Sequence, residues 1–234
     1  MAGLLFILSA PSGSGKSTLV GQLRSVVDGL SFSVSWTTRA PRGSEQDGRE
    51  YHFTSRERFD SMLAEDAFLE HAEVFGNCYG TPRSTLAEAA ARGSDMLLDI
   101  DVQGAEQVRQ RMPEAISVFI LPPNPQILEM RLRNRSRAEG GVSEETVLRR
   151  LAKARDEIGS YGEYRYIVIN DALDQAVEEL ISIVQAERAR QRGIQAANAS
   201  DAELQHWIAI ADGCQQANVA ARLRPVLASF GFPS

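Results

Sequence analysis

Ala10-Pro11-Ser12-Gly13-Ser14-Gly15-Lys16-Ser17-Thr18 stands between a short apolar run and the first stretch of helical periodicity, and its reading decides the fold. It is the phosphate-binding-loop pattern with Ala10 in place of the first glycine. Gly13 and Gly15 let backbone N–H groups wrap around phosphate oxygens, and the helix that follows aims its positive end at them. Lys16 adds a charge that reaches the β- and γ-phosphates, and the Ser17 hydroxyl is placed to ligate Mg2+. Ala10 gives up some backbone freedom but removes no side-chain contact. The segment reads as the cradle of a nucleoside triphosphate.

Outward from the loop, residues 4–8 form an apolar run suited to a strand buried on both faces. Leu19, Val20, Leu23, Val26 and Val27 recur at helical spacing before a stop at Gly29. Phe32, Val34 and Trp36 alternate as in a strand. Thr54-Ser55-Arg56-Glu57 is a capping-box pattern before a helix presenting Phe59, Met62 and Leu63. Residues 68–75 read as a strand closed by a Gly76-Asn77 turn, and Thr81-Pro82 reads as the start of a helix that stops at Gly93. Residues 96–100, 116–121 and 166–169 are further buried-strand candidates, with helical stretches at 103–111 and from Asp171 to near Gly193. Asn124-Pro125 and Ser143 are helix caps, and the polar stretch 133–143 between them reads as a mobile loop. Strands alternate with helices, which predicts an α/β fold with a mainly parallel sheet flanked by helices.

Composition narrows the partners. Hydrophobic residues make up 43% and charged residues 24%, which excludes disorder and a membrane-spanning class for the chain as a whole. Lys+Arg number 25 against 31 Asp+Glu, a net charge of −6 that argues against a general binder of nucleic-acid polymers or acidic membranes. Small phosphorylated ligands remain open, because a local arginine cluster suffices for them. Cys78 and Cys214 have no ligand or redox spacing, and the opening residues lack the basic flank and apolar length of a signal peptide. A cytoplasmic protein is expected, and a homo-oligomer is left open.

A kinase of a small molecule is the economical class, since no base-reading Asn-Lys-x-Asp segment of a GTPase occurs. The acceptor is suggested by Arg39 and Arg42, three apart in a loop after a strand, with Tyr51 beyond: guanidinium forks and a phenol suit a monoester phosphate. Ser33-Val34-Ser35-Trp36-Thr37-Thr38-Arg39, Pro41-Arg42-Gly43, Gly48, Glu50-Tyr51 and Phe53 follow one another in that region. Further on come Phe68-Leu69-Glu70, Tyr79-Gly80-Thr81, Leu97-Leu98-Asp99-Ile100-Asp101 with Gly104, Arg131 to Arg135, and Val168-Ile169-Asn170-Asp171. Together these resemble the guanylate kinase family, in order, from the first strand to about Gly193.

The resemblance implies a P-loop kinase core with a nucleotide-monophosphate-binding subdomain (about 35–95) and a lid (about 133–145) within residues 1–193. Residues 194–234, where the composition shifts to Ala, Gln and Asn, would be a helical extension, with Ser200-Asp201-Ala202-Glu203 as its capping box and Leu204, Trp207, Ile208 and Ala211 as its stripe. It implies ATP as donor, GMP as acceptor and Mg2+ as cofactor. Arg39, Arg42, Tyr51 and Tyr79 match residues that hold the GMP phosphate; Ser35, Glu70 and Thr81 match those that contact guanine. Asp99 and Asp101 match acidic residues near the acceptor and metal. Lys16, Arg131, Arg135 and Arg150 match cations that approach the transferred phosphoryl group, and Asn170 a position near adenine. The base assignment has an independent logic. A carboxylate accepts from two adjacent N–H groups, which guanine offers at N1 and N2 and adenine does not, so such a site rejects the wrong base by about four to five decades.

Three features depart from the family pattern. Cys78 stands where a tyrosine or similar residue is expected, and a buried apolar role suits it. The stretch Ser136 to Val142 is a few residues longer than usual, and the tail lies beyond the resemblance. Two rival readings follow: a P-loop kinase of another small phosphate, and a guanylate-kinase-like peptide-binding module. The intact Gly13, Gly15, Lys16 and Ser17 speak against the second.

Overall fold

A computed structural model describes residues 3–138, 141, 143–195, 199 and 201–232. In chain order, the first elements are β1 (Leu5–Ser9), α1 (Lys16–Val26), β2 (Leu30–Phe32), β3 (Trp36–Thr37), β4 (His52–Phe53) and α2 (Arg56–Ala64). Next come β5 (Phe68–Val74), β6 (Asn77–Pro82), α3 (Ser84–Ala91), β7 (Asp95–Asp99), α4 (Val102–Arg111) and β8 (Ile116–Leu121). The chain ends with α5 (Pro125–Ala138), α6 (Glu144–Ile158), β9 (Tyr166–Ile169), α7 (Leu173–Gln191), α8 (Ala202–Cys214) and α9 (Ala220–Ser229). Residues group into two compact units, one made of the chain up to Leu8 with 29–116, the other of 9–28 with 117–234.

In the first unit β7 pairs in parallel with β1 on one side and β2 on the other. Met96, Leu97 and Leu98 are buried, as a strand covered on both faces requires. A second sheet runs β4-β3-β6-β5, with β3–β4 parallel and the other pairs antiparallel. The Phe32-to-Trp36 alternation therefore belongs to two strands in two sheets, not one. Ser33 donates its amide to the Leu97 carbonyl (3.1 Å), and the chain then leaves β7 to open β3 at Trp36. Phe75 and Gly76, both at positive φ (51° and 77°), form the two-residue turn of the β5–β6 hairpin, so β6 replaces the helix start expected at Thr81-Pro82. α3 begins two residues later. The cap of α2 is Ser55, whose side chain accepts from the Arg58 amide, one residue past the predicted Thr54, and Leu63 is 39% exposed while Phe59 and Met62 are buried. Cys78 joins Phe59, Met62 and Phe68 in an apolar cluster, the buried role expected of it.

In the second unit β8 and β9 pair in parallel, their residues almost all buried. α1 buries Leu19, Val20 and Leu23 but leaves Val26 60% exposed, so the predicted stripe is one position too wide. Asn124 Oδ1 accepts from the Ile127 amide at the start of α5, and Ser143 caps α6 as expected. α5 runs through residues 133–138, which are helical rather than loop; Glu139, Gly140 and Val142 of the expected lid lie outside the described residues. Arg133 brackets α5 to α6 by bonding Glu129 on its own helix and both carboxylate oxygens of Glu144 (2.6 and 2.7 Å).

The tail packs on its own unit. α7 buries one row of Ala176, Leu180, Ile183, Val184 and Glu187 and a second of Glu179, Ser182, Ala186 and Ala189. α8 lies along α7, and its C-terminal end reaches β9, where Gln215 bridges Tyr166. Asp201 caps α8 by accepting from the Glu203 amide; Ser200, the predicted cap, lies outside the described residues. α9, unforeseen as a separate element, delivers Arg222 to the buried Glu179 (2.5 Å), and Arg190 joins Asp212, Glu187 and the Tyr166 hydroxyl, each at 2.6 Å.

Glu179 is 5% exposed as a side chain and Arg222 41%. Removing one partner of a fully buried pair costs about 3–5 kcal/mol, and the exposure of Arg222 brings the expected loss for Arg222→Ala to about 2 kcal/mol. Scanning calorimetry should show the unfolding midpoint falling by roughly 4–8 °C, with the neighbouring Arg224→Ala nearly silent. Equal midpoints for the two variants would contradict the anchoring role.

Candidate active site

The second unit carries the phosphate loop. Gly13 and Gly15 sit at φ 90° and 87°, a region that disfavours any side chain. Space forbids one as well: a Cβ at Gly13 would lie 2.8 Å from Leu132 Cγ, and one at Gly15 would lie 2.5 Å from Asn170 Nδ2. Gly15 precedes α1 and offers no side-chain cap, and the positive end of a helix that starts in this way suits an incoming anion. The loop is held from behind. The Ser14 carbonyl accepts from Asn170 Nδ2 (2.7 Å) and Arg131 Nη1 (3.2 Å), while Arg131 Nη2 donates to the Asn170 carbonyl (3.0 Å). Burial holds the Arg131 pKa below its ordinary value, with Asp171 offsetting part of that. At the other end of the loop, Glu157 Oε2 accepts from the Ser12 amide at 3.3 Å, and Lys153 lies 3.5 Å from its second oxygen.

Lys16 opens α1 half-buried, while Ser17 and Thr18 are exposed. Among the described residues no three carboxylates, histidines or cysteines gather as a metal cluster. A hydroxyl beside a phosphate cradle still fits Mg2+, which keeps several waters and binds largely through substrate phosphates. Arg135 lies one helical turn beyond Arg131 on α5, and Arg150 is half-buried on α6.

The first unit carries two polar groupings. In one, Arg39 is 7% exposed and clasps Glu45 with two bonds of 2.9 and 3.1 Å, while its centre lies 5.2 Å from the Tyr51 ring and 5.9 Å from that of Phe53. Glu45 also accepts from the Arg42 amide (2.8 Å). Arg39 Nε is buried with no hydrogen-bond partner, a donor suited to an anion. Tyr51 and Tyr79 meet edge to face at 5.8 Å. Burial, and then the charge of Asp99, push the Tyr51 pKa up to about 12, so its phenol stays a proton donor at neutral pH. Glu45 is the residue that sequence reasoning missed. Its only signal was a carboxylate three positions after Arg42, which Asp47 and Glu50 in the same loop made inconspicuous.

In the second grouping, Glu70 is 3% exposed and its Oε1 accepts from the Thr81 hydroxyl at 2.5 Å. The one Thr81 proton being so used, Ser35 is the donor in the 3.4 Å contact between the two hydroxyls. A bulge in the β5–β6 pairing between Phe68 and Glu70 sets Glu70 directly opposite Thr81. Asp99 closes β7 half-buried, whereas Asp101 is turned to its own helix: it caps α4 by accepting from the Gly104 amide (2.9 Å).

Comparison with known proteins gives the groupings a context. The family model described as "Guanylate kinase" matches residues 3–187. A guanylate kinase of Koribacter versatilis is 52% identical over 230 residues, 98% of this chain and 97% of its own, so that likeness extends through the tail. One of Nitrosospira multiformis is 50% identical over 80% of this chain and 88% of its own. The crystal structure of guanylate kinase from Anaplasma phagocytophilum superposes with a TM-score of 0.63 at 33% identity, covering 80% of this chain and 86% of that one.

The Arg39–Glu45 pair makes a pH prediction. Burial would raise the Glu45 pKa, but the Arg39 and Arg42 bonds outweigh it and hold it below its ordinary 4.5. A depressed carboxylate contributes stability that is complete above the unfolded pKa and disappears as pH falls through the folded one. Wild type should exceed Glu45→Gln by about 1–2 kcal/mol at pH 7, and denaturant titrations should show the gap closing below pH 4.5. A gap independent of pH would contradict the ion pair.

Proposed function

The chain belongs to the guanylate kinase family, an ATP:GMP phosphotransferase, and we propose that its two units divide the substrates, the loop unit holding ATP and the bulged-sheet unit holding GMP. The observation that carries the acceptor half is the buried Glu70 carboxylate fixed by Thr81. Such a group accepts the paired N1–H and N2–H of guanine, with Ser35 and Thr81 completing the base contacts. Arg39, Arg42, Tyr51 and Tyr79 take the GMP phosphate, and Asp99 and Asp101 border it. On the donor side the amides of residues 10–18 and Lys16 hold the β- and γ-phosphates, and Asn170, besides bracing the loop, borders adenine.

A GMP phosphate oxygen attacks the γ-phosphorus in line, forming the new P–O bond as the bond to the β-bridging oxygen breaks and ADP leaves with the electron pair. Lys16, Arg131, Arg135 and Arg150 stabilise the charge spread over the transferred group. No side chain need act as base, because a phosphate monoester is already largely ionised near neutral pH. Mg2+, held by Ser17 and the phosphates, supplies further charge neutralisation when bound. Among the described residues no helix is long and apolar enough to cross a membrane, and we assign the enzyme to the cytoplasm. Residues 1–193 are the proposed catalytic domain, with its monophosphate-binding subdomain at about 35–95 and lid at about 133–145. Residues 194–234 are the extension that braces it.

ADP release from Mg-ATP with GMP, dGMP, AMP, CMP and UMP as acceptors tests the assignment. GMP should exceed AMP by at least about 1,000-fold in kcat/KM. Comparable turnover with AMP would overturn the role of Glu70 while leaving a P-loop kinase.

A further inference from the structure

Gly104 lies inside the first turn of α4 without a positive φ, a place where alanine is the better helix former, so its backbone gives no reason for glycine. Its surroundings do. A Cβ there would overlap Glu70 Oε2 and lie 2.8 Å from Glu70 Cδ. We propose that Gly104 is a specificity-determining position for the acceptor base: its missing side chain lets α4 press against the Glu70 carboxylate and set where that carboxylate points. The inference rests on the reading of Glu70 as the group that recognises guanine.

α4 cannot drift away to relieve such a clash, because it is fastened to β5 on both sides of Glu70. Gln107 accepts from the His71 amide (3.2 Å) and donates to the His71 carbonyl (2.6 Å), while Arg111 donates to the Leu69 carbonyl. Gly104, Gln107 and Arg111 are spaced three and four apart, on one helix face. The helix start is fixed too, since the Gly104 amide donates to Asp101. On the other side Glu70 Oε1 is tied to Thr81. With helix and strand both fixed, the movable partner is the carboxylate end itself. A methyl group at position 104 therefore displaces the reader rather than the fold.

The test compares wild type, Gly104→Ala, Glu70→Gln and the double variant Gly104→Ala/Glu70→Asp. Kinetics are measured with ATP, GMP and inosine monophosphate, which keeps N1–H but lacks the exocyclic amine. For Gly104→Ala the GMP KM should rise roughly 10- to 100-fold and the preference for GMP over inosine monophosphate should fall by about tenfold. The ATP KM should stay within about twofold and the unfolding midpoint should not drop, as helix propensity dictates. The double variant, one methylene shorter at position 70, should regain part of the preference.

Unchanged GMP kinetics would overturn the proposal. So would KM values for both nucleotides rising together with a lower midpoint, or a Gly104→Ala chain that fails to fold, because the clash would then fall on the fold. Glu70→Gln separates this proposal from its premise. If it keeps the preference, the base-reading role itself fails; if it loses the preference while Gly104→Ala keeps it, only the role of Gly104 fails.

Discussion

A helix that begins without a side-chain cap turns its positive end toward an incoming anion, and the proposed donor half is organised around that feature at the start of α1. The arrangement is effective only if the loop is rigid before the ligand arrives, since ordering it on binding would consume affinity. Asn170 and Arg131 hold the Ser14 carbonyl, and Glu157 holds the Ser12 amide. None of these three bonds needs the ligand. Asn170 in turn directly follows β9, the strand bridged by Gln215 and braced through the Arg190 network, so the tail supports the loop through covalent continuity with its bracing residue.

The acceptor half solves the opposite problem. A buried carboxylate is costly unless its lone pairs are satisfied, and in the proposed role of Glu70 that cost is the source of selectivity. Glu70 is aimed by Thr81, by the bulge that sets it opposite that hydroxyl, and by the close approach of α4. Arg39 shows the complementary device. Its guanidinium is fixed by Glu45 and flanked by aromatic rings, so a cation is stored in place without an anion bound. A chain of net charge −6 thereby offers a phosphate a locally positive surface.

The phosphate loop was legible because chemistry restricts it residue by residue: two glycines at positive φ, then lysine and a hydroxyl. The buried strands β7, β8 and β9 were legible because runs such as Met96-Leu97-Leu98 have no other home. What escaped depends on tertiary context. The division of Phe32 to Trp36 between two sheets follows from where β7 ends its pairing, which no local pattern encodes. The Phe75-Gly76 turn places a non-glycine at positive φ, so strand β6 was hidden behind a Pro that resembled a helix start. The α2 cap moved by one residue because adjacent Thr54 and Ser55 are both competent. The stretch from Arg133 looked like a loop because its bracket, Arg133 to Glu144, joins two helices across an intervening segment that no local pattern encodes. The Leu69 bulge, on which the aim of Glu70 depends, has no sequence signature.

Separate calorimetric titration of ATP and GMP into wild type, Lys16→Ala and Arg39→Ala is the most direct test of two independently built cradles. The account predicts a crossed result. Lys16→Ala should lose at least about tenfold in ATP affinity and bind GMP normally, and Arg39→Ala should do the reverse, in line with the strength of charge-assisted phosphate contacts. Equal loss of both nucleotides in either variant would contradict it.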